Sequence, residues 1–192
     1  MRTLTRIVVL LGLTLILLPA KLAIVRAQSM SLLEAGGNYN YLRTNAPPGG
    51  CGCFSMNGGA AWISYNSFGP LAIVGELSVQ HASNVLGSGA GLTLSSYQAG
   101  PRYRFPQVRR FVPFAQVLLG GSHASGSYAS DTGLSNAFAA TMGGGIDVEL
   151  TSRVAIRAFE ADYAFLHFPN GVNDHQNNLR ISVGIAFKLG KR

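Results

Sequence analysis

Residues 179–189 read LRISVGIAFKL, and their spacing constrains the fold more than any other feature of the chain. Leu179, Ile181, Val183, Ile185, Phe187 and Leu189 are large and apolar, whereas the residues between them, Arg180, Ser182, Gly184, Ala186 and Lys188, are polar, charged or small. Successive side chains of a strand point to opposite faces, so one face of this segment is apolar along its whole length. An amphipathic helix would scatter a period of two around its circumference. A soluble sheet satisfies the pattern, and so does a barrel strand with lipid outside and polar groups inside.

Seven earlier segments alternate in the same way. Residues 31–43 set Leu33, Ala35, Tyr39 and Tyr41 against Glu34, Asn38 and Asn40. Residues 53–66 set Phe54, Met56, Ala60 and Trp62 against Ser55 and Asn57, and residues 71–82 set Leu71, Ile73, Leu77 and Val79 against Glu76, Ser78 and Gln80. Residues 92–105 set Tyr97, Ala99, Tyr103 and Phe105 against Gln98, Arg102 and Arg104. In residues 111–122 the phase is ambiguous, with Ala115, Val117 and Leu119 outward and Gln116 inward as the favoured choice. Residues 137–150 set Phe138, Met142, Ile146, Val148 and Leu150 against Thr141, Asp147 and Glu149. Residues 153–166 set Phe159, Ala161, Tyr163 and Phe165 against Glu160 and Asp162. Arg157 falls on the apolar face of that last phase, so either the phase is wrong or Arg157 snorkels to an interface.

The N-terminus bears on where such strands would fold. Arg2 and Arg6 precede an apolar run over residues 7–18, and Val25-Arg26-Ala27 offers small residues for cleavage before Gln28. This is the layout of a secretory signal peptide over residues 1–27, helical if it folds at all. The run is about half the ~20 residues that a spanning helix needs. Its removal takes Arg2, Arg6, Lys21 and Arg26 and lowers the formal charge from +7 to +3. The basic balance then argues little for nucleic acid, and no basic cluster interleaved with aromatics appears. Residues 28–192 are expected to form one domain. In an oxidising compartment Cys51 and Cys53 could pair, although one intervening residue makes a strained ring; structural or incidental use is favoured over metal or redox chemistry.

The connections alternate in length. Residues 66–70, 106–110 and 150–153 are short, and residues 44–53, 83–91, 123–136 and 167–178 are long. Short turns on one side and long loops on the other are expected of an outer-membrane barrel. With the first strand rising from the periplasm, Trp62, Tyr103, Phe105 and Phe187 fall near periplasmic strand ends and Tyr39, Tyr41, Tyr163 and Phe165 near extracellular ends, as two interfacial girdles would. The inward set then contains Glu34, Glu76, Asp147, Glu149, Glu160 and Asp162 together with Arg102, Arg104, Arg180 and Lys188. An eight-stranded barrel has room for little besides side chains, so these charges are expected to pair in a plugged lumen.

Ser182-Val183-Gly184-Ile185-Ala186-Phe187-Lys188-Leu189 resembles the terminal assembly signal of small outer-membrane β-barrels, polar-x-Gly-x-x-apolar-x-apolar, carried here by Ser182, Gly184, Phe187 and Leu189. Bacterial members usually end on an aromatic residue, whereas this chain continues with Gly190-Lys191-Arg192. With the eight segments, the chain resembles the OmpA/OmpX-like superfamily. The resemblance implies an all-β, eight-stranded antiparallel up-and-down transmembrane barrel in the bacterial outer membrane, present as a monomer. Its implied partners are outer-membrane lipid and lipopolysaccharide, the barrel assembly machinery and an extracellular ligand of the loops. No cofactor, metal or nucleic acid is implied.

A structural or surface-interaction role through the long loops is the favoured function. Three alternatives stand beside it: a narrow channel for small solutes or ions, a lipid A-modifying enzyme, and a soluble lipocalin-like periplasmic binding barrel. His81-Ala82-Ser83-Asn84 resembles the His-x-Ser-Asn motif of outer-membrane lipid A deacylases. It lies on the third strand instead of late in the barrel, and no Glu follows at a suitable distance to orient the His. His123, His167, His175 and Asp174 read as solvated loop residues. No catalytic residue is therefore expected.

Overall fold

The computed structural model describes residues 31–46, 52–127, 136–168 and 175–189. The expected signal segment, Cys51 and residues 190–192 lie outside the described residues. Eight strands follow in chain order: β1 (Leu33–Ala46), β2 (Gly52–Phe68), β3 (Leu71–Ala82), β4 (Leu92–Arg104), β5 (Phe111–Ser125), β6 (Asn136–Glu149), β7 (Val154–Leu166) and β8 (Gln176–Leu189). Each pairs antiparallel with its sequence neighbour, and β8 returns to pair with β1, so the sheet closes. Closure leaves no strand edge unpaired. A single 3-10 turn, Val85–Gly87, sits between β3 and β4.

Alternation in the sequence becomes inside and outside here. On β8, Leu179, Val183, Ile185, Phe187 and Leu189 are exposed, while Arg180, Ser182 and Ala186 are buried. The same holds on β3, where Leu71, Ile73, Leu77 and Val79 point out and Glu76, Ser78 and Gln80 are buried. On β5, Gln116 and Leu118 are buried and Val117 and Leu119 exposed, which settles the ambiguous phase as favoured. The barrel is thus apolar outside and charged inside, the reverse of a water-soluble protein.

One phase, that of β2, and one residue, Arg157 on β7, differ from expectation. On β2 the face carrying Met56 and Trp62 turns inward, with 1% and 3% of their surface exposed, and Asn57, Ala61, Ile63 and Tyr65 point out. Trp62 therefore belongs to no outer girdle. The outward polar residues near the start of β2 are satisfied by tyrosines of β1: Tyr39 Oη donates to Asn57 Oδ1 at 2.8 Å, and Tyr41 Oη lies 2.7 Å from Ser55 Oγ. Gly36 makes room for the indole, since a Cβ there would stand 2.4 Å from Trp62 Cζ2. On β7 the register shifts between Arg157 and Glu160 against β8. Ala158 and Phe159 are consecutive exposed residues, and Arg157, Glu160 and Asp162 are all buried. One extra residue in a strand leaves it unpaired and reverses the facing of everything on one side of it. Arg157 therefore neither snorkels nor marks a wrong phase beyond the bulge.

Candidate functional site

The interior is built of charged and polar side chains in contact with one another. At the end with the short turns, Arg104 on β4 reaches across to Glu34 on β1, with Nη1 donating to Oε1 at 2.8 Å and Nη2 to the other oxygen. Beside them Lys188 on β8 pairs with Glu149 on β6, which also accepts from Gln107 Nε2 at 3.1 Å.

Next comes a block in which two guanidiniums lie between two aromatic rings. Arg102 stands 4.7 Å from the Trp62 centroid and 4.8 Å from that of Phe114; for Arg157 the distances are 4.5 and 4.4 Å. Stacking on ring faces favours desolvated cations. Arg157 also donates from Nε to Asp147 Oδ1 at 2.9 Å, from Nη2 to Asp147 Oδ2 at 3.3 Å and from Nη1 to Glu160 Oε2 at 3.2 Å. Arg102 is held by an amide, donating from Nε and Nη2 to Gln116 Oε1 at 2.9 and 2.7 Å. Gln116 in turn donates to Glu160 Oε1 at 2.6 Å, and Asn38 donates to Glu160 Oε2 at 3.0 Å while accepting from Trp62 Nε1 at 3.2 Å. Above this block Arg180 bridges Glu76 on β3 and Asp162 on β7, donating to Asp162 Oδ2 from Nε at 3.0 Å and from Nη2 at 2.8 Å.

The long-loop end of the lumen is apolar. Leu42, Met56, Leu92, Leu94, Leu166 and Phe168 are buried together, and Val85 of the 3-10 turn packs with them. The lumen is therefore filled by ion pairs and aromatic rings below and closed by an apolar plug above. A buried ion pair tolerates removal of one partner poorly, because the other is left charged and unsolvated.

All ten residues expected to line the lumen face inward, with Glu149 and Lys188 only partly buried at the rim. Sequence reasoning missed Arg157, Trp62, Asn38, Gln116 and Phe114 as members of one network. The sequence carries a signal for Arg157: the expected inward set has six acids against four bases. Ser182 of the assembly segment is buried, Phe187 and Leu189 point outward, and Gly184 lies against β1, where a Cβ would stand 2.3 Å from the Gly37 carbonyl oxygen. Cys53 pairs in register with Asn45, and a bond to Cys51 falls outside the described residues. His81 is exposed, and its Nδ1 lies 2.9 Å from Thr93 Oγ1, a hydroxyl where a triad would place a carboxylate. Among the described residues no group of three or more His, Cys, Asp or Glu is arranged to hold a metal.

No protein-family model and no curated protein sequence matches this chain. Solved structures do match in fold. Neisserial surface protein A aligns with a TM-score of 0.64 at 15% identity, over 83% of this chain and 98% of that one. Ail, the attachment invasion locus protein of Yersinia pestis, solved with the heparin analogue sucrose octasulfate, aligns at 0.54 and 14% identity, over 82% of this chain and 98% of that one. The outer membrane protein OprG from Pseudomonas aeruginosa aligns at 0.54 and 10% identity, over 85% and 99%. At these identities the likeness is one of fold, and the fold is that of the small outer-membrane β-barrels.

Proposed function

We propose that this chain is an integral protein of the bacterial outer membrane, a sealed barrel that holds its long-loop end at the cell surface for structural or binding work. The carrying observation is the inverted polarity: Leu77, Tyr97, Leu119, Met142 and Val183 stand outward and exposed, while Glu34, Arg102, Arg157, Glu160 and Asp162 are buried. Water would oppose that arrangement on both faces, whereas lipid outside favours it. A fold neighbour solved with a heparin analogue supports a surface-ligand role for this kind of barrel.

The filled lumen and its apolar plug weigh against a conducting pore. A lipocalin-like soluble barrel would need its apolar face inward around a ligand, the opposite of what β3 and β8 present. The test is expression of the full chain followed by membrane fractionation and gel electrophoresis with and without boiling. Outer-membrane recovery with a heat-modifiable band is expected; soluble periplasmic recovery with no shift overturns the reading. Planar-bilayer recording is expected to be silent, and reproducible single-channel steps would favour transport instead.

A further inference from the structure

Six of the eight acidic residues of the chain, Glu34, Glu76, Asp147, Glu149, Glu160 and Asp162, are committed to the lumen, and the other two, Asp131 and Asp174, lie outside the described residues. Apart from the partly buried rim pair of Glu149 and Lys188, the accessible charge of the described surface is therefore left to arginines. Arg43 is exposed at the long-loop end, and Arg109, Arg110 and Arg153 are exposed at the short-turn end.

Those three share one arc of the rim. The Arg110 carbonyl accepts from the Glu149 amide at 2.8 Å, joining the β4–β5 turn to the end of β6. The Arg153 carbonyl accepts from the Lys188 amide at 2.8 Å, joining the β6–β7 turn to the end of β8. The one acid there, Glu149, is already engaged by Lys188 and Gln107. Between the arginines stand exposed apolar side chains: Phe105, Val108, Phe111 and Leu150. Val108 is the most exposed of them, at 65%.

Arg109 also occupies a costly backbone position. Its φ is +57° in the tight turn closed by Val108 and Phe111, where the β2–β3 turn of the same rim uses Gly69 at +66°. A left-handed conformation is unfavourable for a residue with a Cβ. A glycine would relieve that strain, and the chain carries a cation there instead.

We propose that this arc is a binding surface for the phosphate headgroups of anionic phospholipid in the inner leaflet, with the apolar residues seated among the adjoining acyl chains. The proposal rests on the membrane-barrel reading above. Cations directly flanking an apolar band suit a charged lipid surface, where each gains from the negative surface potential. A polymer of the periplasm would give Val108 and Phe111 nothing apolar to contact.

The experiment refolds the full chain into nanodiscs of phosphatidylglycerol and phosphatidylcholine with identical acyl chains, and counts the lipids retained on the barrel by native mass spectrometry. Phosphatidylglycerol is expected to be enriched roughly fivefold or more over its share of the bilayer. The R109Q/R110Q/R153Q variant is expected to lose that enrichment, and R43Q, at the opposite end, to keep it. Bulk composition on the wild type, enrichment unchanged in the triple variant, or equal loss in R43Q would each overturn the assignment. So would displacement of the lipid by millimolar inorganic phosphate alone, or binding of the wild type to sacculi that the triple variant loses while its lipid retention is unchanged. A heat-modifiable band from the same samples separates the two claims: its presence with no lipid preference refutes the rim alone, and its absence refutes the barrel reading and the rim with it.

Discussion

Replacing Arg157 by methionine removes a cation with no exposed surface while keeping an unbranched side chain between the same two rings. Asp147 then loses both of its bonds, at 2.9 and 3.3 Å, and is left as an isolated carboxylate inside the barrel. Glu160 loses one bond but keeps those from Gln116 and Asn38, at 2.6 and 3.0 Å. Breaking a buried pair by removing one partner costs about 3–5 kcal/mol, most of it from the charge left behind. The double variant D147N/R157M removes that charge too and is expected to recover at least half of the loss. The assay is urea unfolding of the refolded barrel followed by the fluorescence of Trp62, the only tryptophan in the chain and a direct contact of Arg157. A fall in midpoint of more than about 1 M is expected for R157M. A fall within error, or a double variant no better than the single, would refute the claim that the lumen is held by mutually dependent charges.

Three further outcomes follow from the same geometry. Trp62 fluorescence is expected to be insensitive to brominated lipids, whereas W62F/Y97W, with its indole on the outer wall, is expected to be quenched strongly; quenching of the wild type would mean that β2 has the opposite phase. G184A is expected to lower stability by about 1–3 kcal/mol, because the new Cβ meets the Gly37 carbonyl and the Asn38 Cα at 2.3 and 2.9 Å, which a strand pairing cannot yield cheaply. G75A, whose Cβ would find only Ile63 Cγ2 at 3.9 Å, is expected to be near neutral in the same unfolding assay, and a loss equal to that of G184A would refute the close-approach argument.

The parts of this fold that were legible in the sequence are those in which one residue type answers one environment. Leu179 to Leu189 alternate because lipid accepts one kind of side chain and a charged lumen another, and β8 and the lower part of β4, from Tyr97 to Arg104, follow that rule. β2 misled because its apolar residues serve the inside. Met56 joins the plug under the long loops, and Trp62 covers two guanidiniums, so large apolar side chains stand where a uniform rule puts polar ones. Polarity along a strand reports its face only while the lumen is polar at that height. Arg157 on β7 misled for another reason: a bulge is a property of pairing, and nothing within residues 153–166 announces that Ala158 is the extra residue. Charge balance could have corrected it, since Arg157 supplies the base that the surplus acids required.

The same interior determines which charges the described surface carries. Five deeply buried acids and four buried arginines bond mainly to one another or to Asn38, Gln116 and the two rings. A lumen committed in this way gains a stiff frame, because moving any one charge uncovers its partner. It also removes most acids from the described surface, so the outward charge there is positive even though the lumen holds nearly equal numbers of both signs. Stiff walls and a predominantly basic rim then follow from a single allocation of carboxylates: each Glu or Asp spent inside stabilises an arginine there and is one carboxylate fewer to pair with Arg109, Arg110 or Arg153 outside.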